Sequence, residues 1–282
     1  MKYQLLALDV DGTLVPPDNV VRPETVEAVR AATDAGLRVC LATGRSYAET
    51  MPVWRQLGLS EPHEPLVLIG GSLVAEPVGG RTLYHRPIEA ALACEFADAL
   101  GDEGYAAMVI VDVWRHGVDY YVAESGDEHD AQRRWFEKMD VSVRRVPRLA
   151  DAEDMPPPLR VSTVADADRA GPLAERLRER FEGRLNLHAI LAPNYGITIV
   201  EAFAVTADKF EAVRYVAQAH DIPASRIAAV GDDVNDLAMI RGAGLGAAMP
   251  NASRPALDAA DVTAEPSLTA FIHDLLAGRY AG

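Results

Sequence analysis

The chain has 282 residues, 42 of them acidic and 27 basic, for a formal net charge of −15. With 49% apolar and 24% charged residues it has the make-up of a folded globular protein, which excludes general disorder. The excess of acid argues against nonspecific binding to nucleic acid or an anionic membrane, because either needs a basic face.

The length predicts about two domains. Residues 3–8 form an apolar run that ends in Asp-x-Asp-Gly, the pattern of a buried parallel strand. Pro23 then opens a helix in which Val26, Val29 and Ala32 line one face, and Gly36 closes it. A second strand over 37–42 ends at Thr43-Gly44-Arg45. A helix follows over 46–58, and 65–69 reads as a third strand. This β-α-β-α-β order predicts a parallel sheet with right-handed crossovers.

The middle of the chain reads differently. Strands over 106–111 and 118–123 flank a turn whose tip carries Trp114, Arg115 and His116, which predicts a hairpin. Helices fit 88–101, 128–138 and 168–182, and strands fit 141–146, 159–164, 185–190 and 197–202. Strands in adjacent pairs predict an α+β insert with an antiparallel sheet. After it, the first pattern returns: a helix over 208–220, a strand over 227–230 ending at Gly231-Asp232-Asp233, a helix over 234–241, a strand over 245–249 and a helix over 267–277. The expected fold is therefore α/β: a Rossmann-like parallel-sheet core from 1–82 and 204–282, with an inserted α+β cap domain over 83–203. The acidity is shared between them, with 22 acids and 14 bases in 83–203 and 20 acids and 13 bases elsewhere, so no acidic tail explains it.

Two cysteines, Cys40 and Cys94, cannot make a disulfide framework and read as small core residues. The N-terminal apolar run is too short for a signal peptide, and no apolar stretch is long enough for a membrane span. A reducing cytoplasm is the expected location.

Four features fall where strands end or helices begin, which is where open parallel sheets bind ligands. Asp9 and Asp11 are two residues apart just past strand one. Like charges ~4 Å apart repel by about 4 kcal/mol at an effective dielectric near 20, so the pair calls for a cation or a shared proton. Thr43-Gly44-Arg45 sets a hydroxyl and a glycine amide before a helix N-terminus, a weak anion-site signal beside the commoner reading of Thr43 as an N-cap. Lys209 is one of three lysines against 24 arginines. It sits in a first helical turn, where acid is preferred, so another anion must compensate it. Gly231-Asp232-Asp233-Val234-Asn235-Asp236 is too acidic for a mere cap, and oxygen-only ligands of this kind suit Mg²⁺. The chemistry that fits all four is phosphoryl transfer. One carboxylate would attack phosphorus, a second would move protons, and Mg²⁺ and Lys209 would oppose the phosphate charge.

These four motifs, in this order, resemble those of the haloacid dehalogenase-like phosphohydrolases, and the long insert resembles the large cap of the Cof-type subfamily. The resemblance spans essentially the whole chain. It implies Asp9 as nucleophile and Mg²⁺ ligand, and Asp11 as general acid/base and Mg²⁺ ligand through its backbone carbonyl. It implies Asp232 as the third metal ligand. Thr43, Gly44, Lys209 and Asn235, with the Val10 amide, would hold the phosphate, and Asp236 would support the metal site. Asp233 is left as a surface neighbour. Two departures stand out: Gly70-Gly71-Ser72 where many relatives have Asn-Gly, and Phe210 where they often have glycine after the lysine. The implied function is a Mg²⁺-dependent phosphatase acting on a small phosphorylated metabolite, with sugar phosphates among the candidates. A sugar phosphomutase and a non-catalytic metabolite-binding regulator are the alternatives. Arg115, His116, Asn194 and Tyr195 are cap candidates for contacting a polar substrate, each outweighed by an ordinary loop role. Arg45 could reach toward the cap or pair with an acid. Hinges are expected near 80–86 and 202–206.

Overall fold

The computed structural model describes residues 2–192 and 197–280. The chain forms two compact units, one from residues 1–84 with 208–282 and one from 85–207.

The first unit begins with β1 (Leu5–Leu8), α1 (Pro23–Asp34), β2 (Arg38–Leu41) and α2 (Tyr47–Leu57). Every residue of β1 is buried, as a strand covered on both faces requires. Pro23 stands at the start of α1, where its missing N–H costs nothing. The buried face of α1 is Thr25, Ala28, Val29 and Ala32, so Val26 lies beside the core stripe and not in it. Ser46, not Thr43, caps α2: its hydroxyl accepts from the Glu49 amide while the Glu49 carboxylate accepts from the Ser46 amide.

The third strand departs from expectation. β3 (Leu66–Leu68) touches β2's line through one parallel bridge, Ala42 to Val67, and then turns back. It pairs antiparallel with β4 (Leu73–Ala75) in a three-stranded sheet that β5 (Thr82–His85) completes. The cause is a tight turn at Ile69-Gly70-Gly71, where three successive residues have positive φ.

The second unit contains α3 (Ala90–Asp102), β6 (Ala107–Ile110), α4 (Val113–His116), β7 (Tyr120–Ala123), α5 (Asp130–Lys138) and β8 (Val143–Val146). It continues with β9 (Arg160–Asp166), α6 (Ala167–Arg180), β10 (Leu185–Ala192) and β11 (Ile197–Ala204). Its sheet order is β10-β11-β9-β6-β7-β8. Neighbours are antiparallel except β7 and β8, which are parallel because α5 carries the chain back over the sheet between them. Phe96 of α3 and Phe181 after α6 meet edge to face at 5.1 Å and pack in a core with Val109, Val161 and Val200. Arg160 and Glu201 form a buried ion pair at 3.0 Å on the neighbouring strands β9 and β11. Outside, Arg148, Arg176 and Arg184 each grip one carboxylate with two nitrogens: Asp98, Glu103 and Glu95. That forked geometry is available to arginine and not to lysine.

The tip between β6 and β7 is the one-turn helix α4, capped by Asp112 and ended by the left-handed Gly117. Arg115 is held there by Asp112 at 3.1 Å and His85 at 3.0 Å, whereas His116 is exposed. Asn194 and Tyr195 lie outside the described residues.

The chain returns to the first unit through α7 (Lys209–Gln218), β12 (Ile227–Gly231), α8 (Leu237–Gly242), β13 (Leu245–Ala248), α9 (Arg254–Ala259), β14 (Val262–Thr263) and α10 (Leu268–Leu276). The five-stranded sheet β14-β13-β12-β1-β2 is parallel throughout. Leu5, Ala7, Ile227 and Ala229 bury one of its faces with Val213 and Val216 of α7. Among the described residues, no helix is long and apolar enough to cross a membrane.

Candidate active site

Strand register brings the motifs together. Leu8 of β1 stands opposite Val230 of β12 and Leu41 of β2. Because all three strands run the same way, Asp9, Thr43 and Gly231-Asp232 emerge side by side at their carboxyl ends. The Asp9 amide donates to the Val230 carbonyl at 3.0 Å, one last rung before the chains diverge. The loop after Asp9 folds onto itself: the Leu14 and Val15 amides both donate to the Val10 carbonyl at 2.9 Å.

Gly12 is required here twice over. Its φ is +79°, and a Cβ at this position would lie 2.1 Å from Oδ2 of Asp232. Gly231 is similarly confined, since a Cβ there would lie 2.5 Å from the Asp236 Cβ. Both glycines let backbone and carboxylates crowd into one small volume.

Lys209 is the hub. It is the first residue of α7, and Asp208 before it is the N-cap, accepting from the Glu211 amide at 2.9 Å. The Lys209 side chain is buried, and its Nζ donates to Asp9 Oδ1 and to Asp236 Oδ1, both at 2.6 Å. These two carboxylates are the anions that a lysine at a helix start demands. Burial alone would push the Lys209 ammonium toward neutrality. The carboxylates of Asp236 and Asp9 outweigh that and hold its pKa above the ordinary lysine value.

Asp236 is fully occupied in place. Its Oδ1 takes the lysine, and its Oδ2 accepts the Asp232 amide at 2.9 Å and the Asp233 amide at 3.2 Å. This bonding breaks the helix expected over 234–241: Val234–Asp236 is a 3₁₀ turn, and α8 begins only at Leu237. Asp233 caps that turn, its side chain accepting from the Val234 amide.

Carboxylate oxygens of Asp9, Asp232 and Asp236 lie within 4.8 Å of one another. Three carboxylates thus face one ammonium. Burial first, and repulsion from Asp236 second, raise the Asp9 pKa well above the usual carboxylate range. The same two causes push Asp232 up to about 7. A hard divalent cation would relieve both. The donor set, oxygens only and crowded, fits Mg²⁺. Asp9, Asp232 and Asp236 are the side chains that could hold the ion, and Asp236 is the most heavily engaged of the three, with both oxygens accepting hydrogen bonds.

Asp11 lies apart from this cluster. Its side chain is 63% exposed and accepts from Arg45 Nε at 2.8 Å and Nη2 at 2.5 Å. Arg45 therefore pairs with an acid, and Asn19 Oδ1 accepts from the same Nη2. The Thr43 hydroxyl is fully buried and accepts the Arg45 amide at 3.1 Å. Gly44 follows it with open space where a Cβ would stand. Asn235 is half-buried beside Asp236. The ring of Phe210 packs so close to Gly242 that a Cβ there would lie 2.2 Å from it. The chain thus uses that position for packing α7 on α8.

The sequence does not point to Asn19, and it marks Gly70-Gly71 without showing that the turn at Ile69–Gly71 abuts Lys209. The first carries no local signal. The second had one, a Gly-Gly pair directly after a strand.

The model of the haloacid dehalogenase-like hydrolase family matches residues 6–267, and the chain belongs to that family. It is 28% identical over 261 residues to a 5-amino-6-(5-phospho-D-ribitylamino)uracil phosphatase of Bacillus subtilis, covering 89% of this chain and 87% of that one. It is 28% identical over 270 residues to a phosphoglycolate phosphatase of Natronomonas pharaonis, covering 93% and 91%. In fold it is similar to a haloacid dehalogenase-like hydrolase from Bacteroides thetaiotaomicron, with a TM-score of 0.76 at 21% identity over 97% of this chain and 99% of that one.

Proposed function

We propose that this protein is a Mg²⁺-dependent phosphatase of the cytoplasm that hydrolyses a small phosphorylated metabolite through an aspartyl-phosphate on Asp9. The observation that carries this reading is a charge imbalance among the described residues: the buried Asp9 and Asp236 both bond the ammonium of Lys209, and the half-buried Asp232 adds a third carboxylate beside them. A purely structural cluster would balance its charges, since uncompensated buried charge is costly.

Asp9 attacks phosphorus with a carboxylate oxygen, and the bond to the leaving oxygen breaks. Lys209, bonded to Asp9 Oδ1, holds that carboxylate in a fixed orientation and sets a positive charge where the phosphoryl oxygens arrive. Asp11 in its acid form gives the leaving oxygen its proton. As a carboxylate it then takes a proton from water, whose oxygen displaces Asp9 from phosphorus and releases phosphate. The Thr43 and Gly44 segment, Asn235 and the Val10 amide hold the phosphoryl oxygens. When bound by Asp9, Asp232 and the Asp11 carbonyl, Mg²⁺ supplies Lewis-acid neutralisation of the phosphoryl charge. Asp236 positions Lys209 and the Asp232 backbone.

The inserted unit, residues 85–207, would act as the cap that selects the substrate. The two relatives named above act on different phosphate esters, which supports the class of substrate and not its identity; sugar phosphates are the first candidates. Phosphate release from a panel of phosphorylated metabolites, with and without Mg²⁺, tests the reading. Turnover should vanish in excess chelator and in Asp9→Asn. Persistence in either condition would overturn the mechanism. Isomerised phosphosugar without free phosphate would identify a mutase, and ligand binding without turnover would identify a regulator.

A further inference from the structure

The turn after β3 is the most strained backbone near the site. Ile69, Gly70 and Gly71 have φ of +51°, +63° and +95° in succession. For the β-branched Ile69 this is a true outlier, and such conformations persist only where the surroundings enforce them. Ile69 is buried, and the turn that joins β3 to β4 carries contacts beyond that sheet.

What enforces it is contact with two motifs at once. On one side the Ile69 amide donates to the Arg45 carbonyl and the Gly70 amide donates to the Thr43 carbonyl, each at 3.0 Å. These bonds tie the turn to both ends of Thr43-Gly44-Arg45. On the other side Gly71 lies against the peptide that joins Asp208 to Lys209. A Cβ on Gly71 would stand 2.1 Å from the Asp208 carbonyl oxygen and 2.8 Å from the Lys209 nitrogen. Backbone meets backbone there, so no side chain can yield.

We propose that Ile69–Gly71 is a positioning element of the phosphoryl-transfer site: one rigid left-handed turn that sets the Lys209 ammonium against Asp9 and Asp236 and fixes the Thr43-Gly44 segment in the same frame. This rests on the phosphatase reading for its effect on rate, and on geometry alone for its effect on Lys209. Lys209 Nζ has two bonds of 2.6 Å to keep. A displacement of its backbone by about 1 Å is enough to cost on the order of 100-fold in rate at a preorganised site.

Gly71→Ala is the test, with Gly36→Ala as its control. Gly36 also has positive φ, +88°, but open space around it. Both variants carry backbone strain, and only the first presses on Lys209. Gly71→Ala should lower kcat about 100-fold with a smaller change in KM, while Gly36→Ala keeps kcat. In a Lys209→Met background, Gly71→Ala should cause no further loss, because it acts through the lysine. An unchanged kcat, or a full additional loss in that background, overturns the proposal. A crystal structure of Gly71→Ala gives an answer independent of activity. Lys209 Nζ should have left hydrogen-bond reach of Asp9 or Asp236. If it still meets both at their original distances, the positioning claim fails even where the wild type proves an active phosphatase. If the shift is seen but no phosphate ester is turned over by the wild type, the positioning claim stands and the phosphatase reading falls. Should Gly71→Ala not fold, Ile69→Ala withdraws the buried anchor of the turn and keeps Gly71. It should lower kcat about tenfold, and part of that loss should remain in Lys209→Met because the Ile69 and Gly70 amides hold Arg45 and Thr43; a lower Tm with kcat intact overturns the proposal.

Discussion

Each unit buries an ionic cluster, and the two are built to opposite rules. In the second unit Arg160 meets Glu201, one cation for one carboxylate, on adjacent strands of a sheet. In the first, Lys209 meets Asp9 and Asp236, with Asp232 close behind. The charges of Arg160 and Glu201 cancel within the pair. The Lys209 cluster carries surplus negative charge in a place where charge is expensive, so it is stable only with a cation or bound protons. Imbalance, more than burial, is what marks the functional cluster.

The comparison can be broken most severely at Asp9. Asp9→Asn should reduce phosphate release to background while, by removing one of the crowded charges, leaving stability in the absence of metal equal or higher. A loss of folding with the loss of activity would mean that the two clusters are alike. Asp11→Asn should lower kcat by about 10²–10⁴-fold, the range for a lost proton-transfer group. Since Asp11 is exposed, Tm should barely move. Turnover near the wild-type rate would remove Asp11 from the mechanism.

In the second unit the effects should reverse. Arg160→Met strands Glu201 in the interior and should cost about 3–5 kcal/mol in urea unfolding. The double change Arg160→Met with Glu201→Leu should recover most of that, because a balanced pair can be exchanged for apolar packing. Failure of the double variant to recover would show that this pair, too, does more than hold structure.

The smallest expected effect concerns pH. Asp232 is held near 7 in the folded chain without metal, above its unfolded value. An acid with a raised folded pKa binds its proton more tightly when folded. It therefore adds stability at low pH, and that contribution is lost as pH rises from about 4 through about 7. Metal-free protein should thus lose on the order of a few kcal/mol over that window, and Mg²⁺ should raise Tm more at pH 7.5 than at pH 5.5. Asp232→Asn should flatten this difference. A Mg²⁺ shift equal at both pH values would contradict the account of the surplus charge.

Much of this site is legible in the sequence, because its parts are local. Apolar runs of four or five residues ending in Asp, Thr or Gly-Asp mark strand ends, and parallel order then gathers them. What is not legible depends on side chains finding partners across the fold. Asp236 is one of three acids in a short string, and nothing local shows that both its oxygens are spoken for by Lys209 and two backbone amides. Arg45 has an acid partner 34 residues away in the chain. Leu66-Val67-Leu68 has the pattern of a central strand, yet the turn at Ile69–Gly71 sends it into a separate sheet, antiparallel to β4. In the second unit, a helix between the strands that became β7 and β8 was visible. Its consequence, a parallel pair inside an otherwise antiparallel sheet, follows from the crossover that such a helix makes.

The central claim is that the surplus charge around Lys209 serves covalent phosphoryl transfer on Asp9, and trapping the intermediate tests it most directly. Asp11→Asn, incubated with Mg²⁺ and p-nitrophenyl phosphate, has a leaving group that needs no protonation but lacks the base that activates water. Intact-protein mass spectrometry should find one added phosphoryl group, peptide mapping should place it on Asp9, and Asp9→Asn should show none. Wild-type turnover with no phosphorylated protein in Asp11→Asn, or a label on any other residue, would contradict the account.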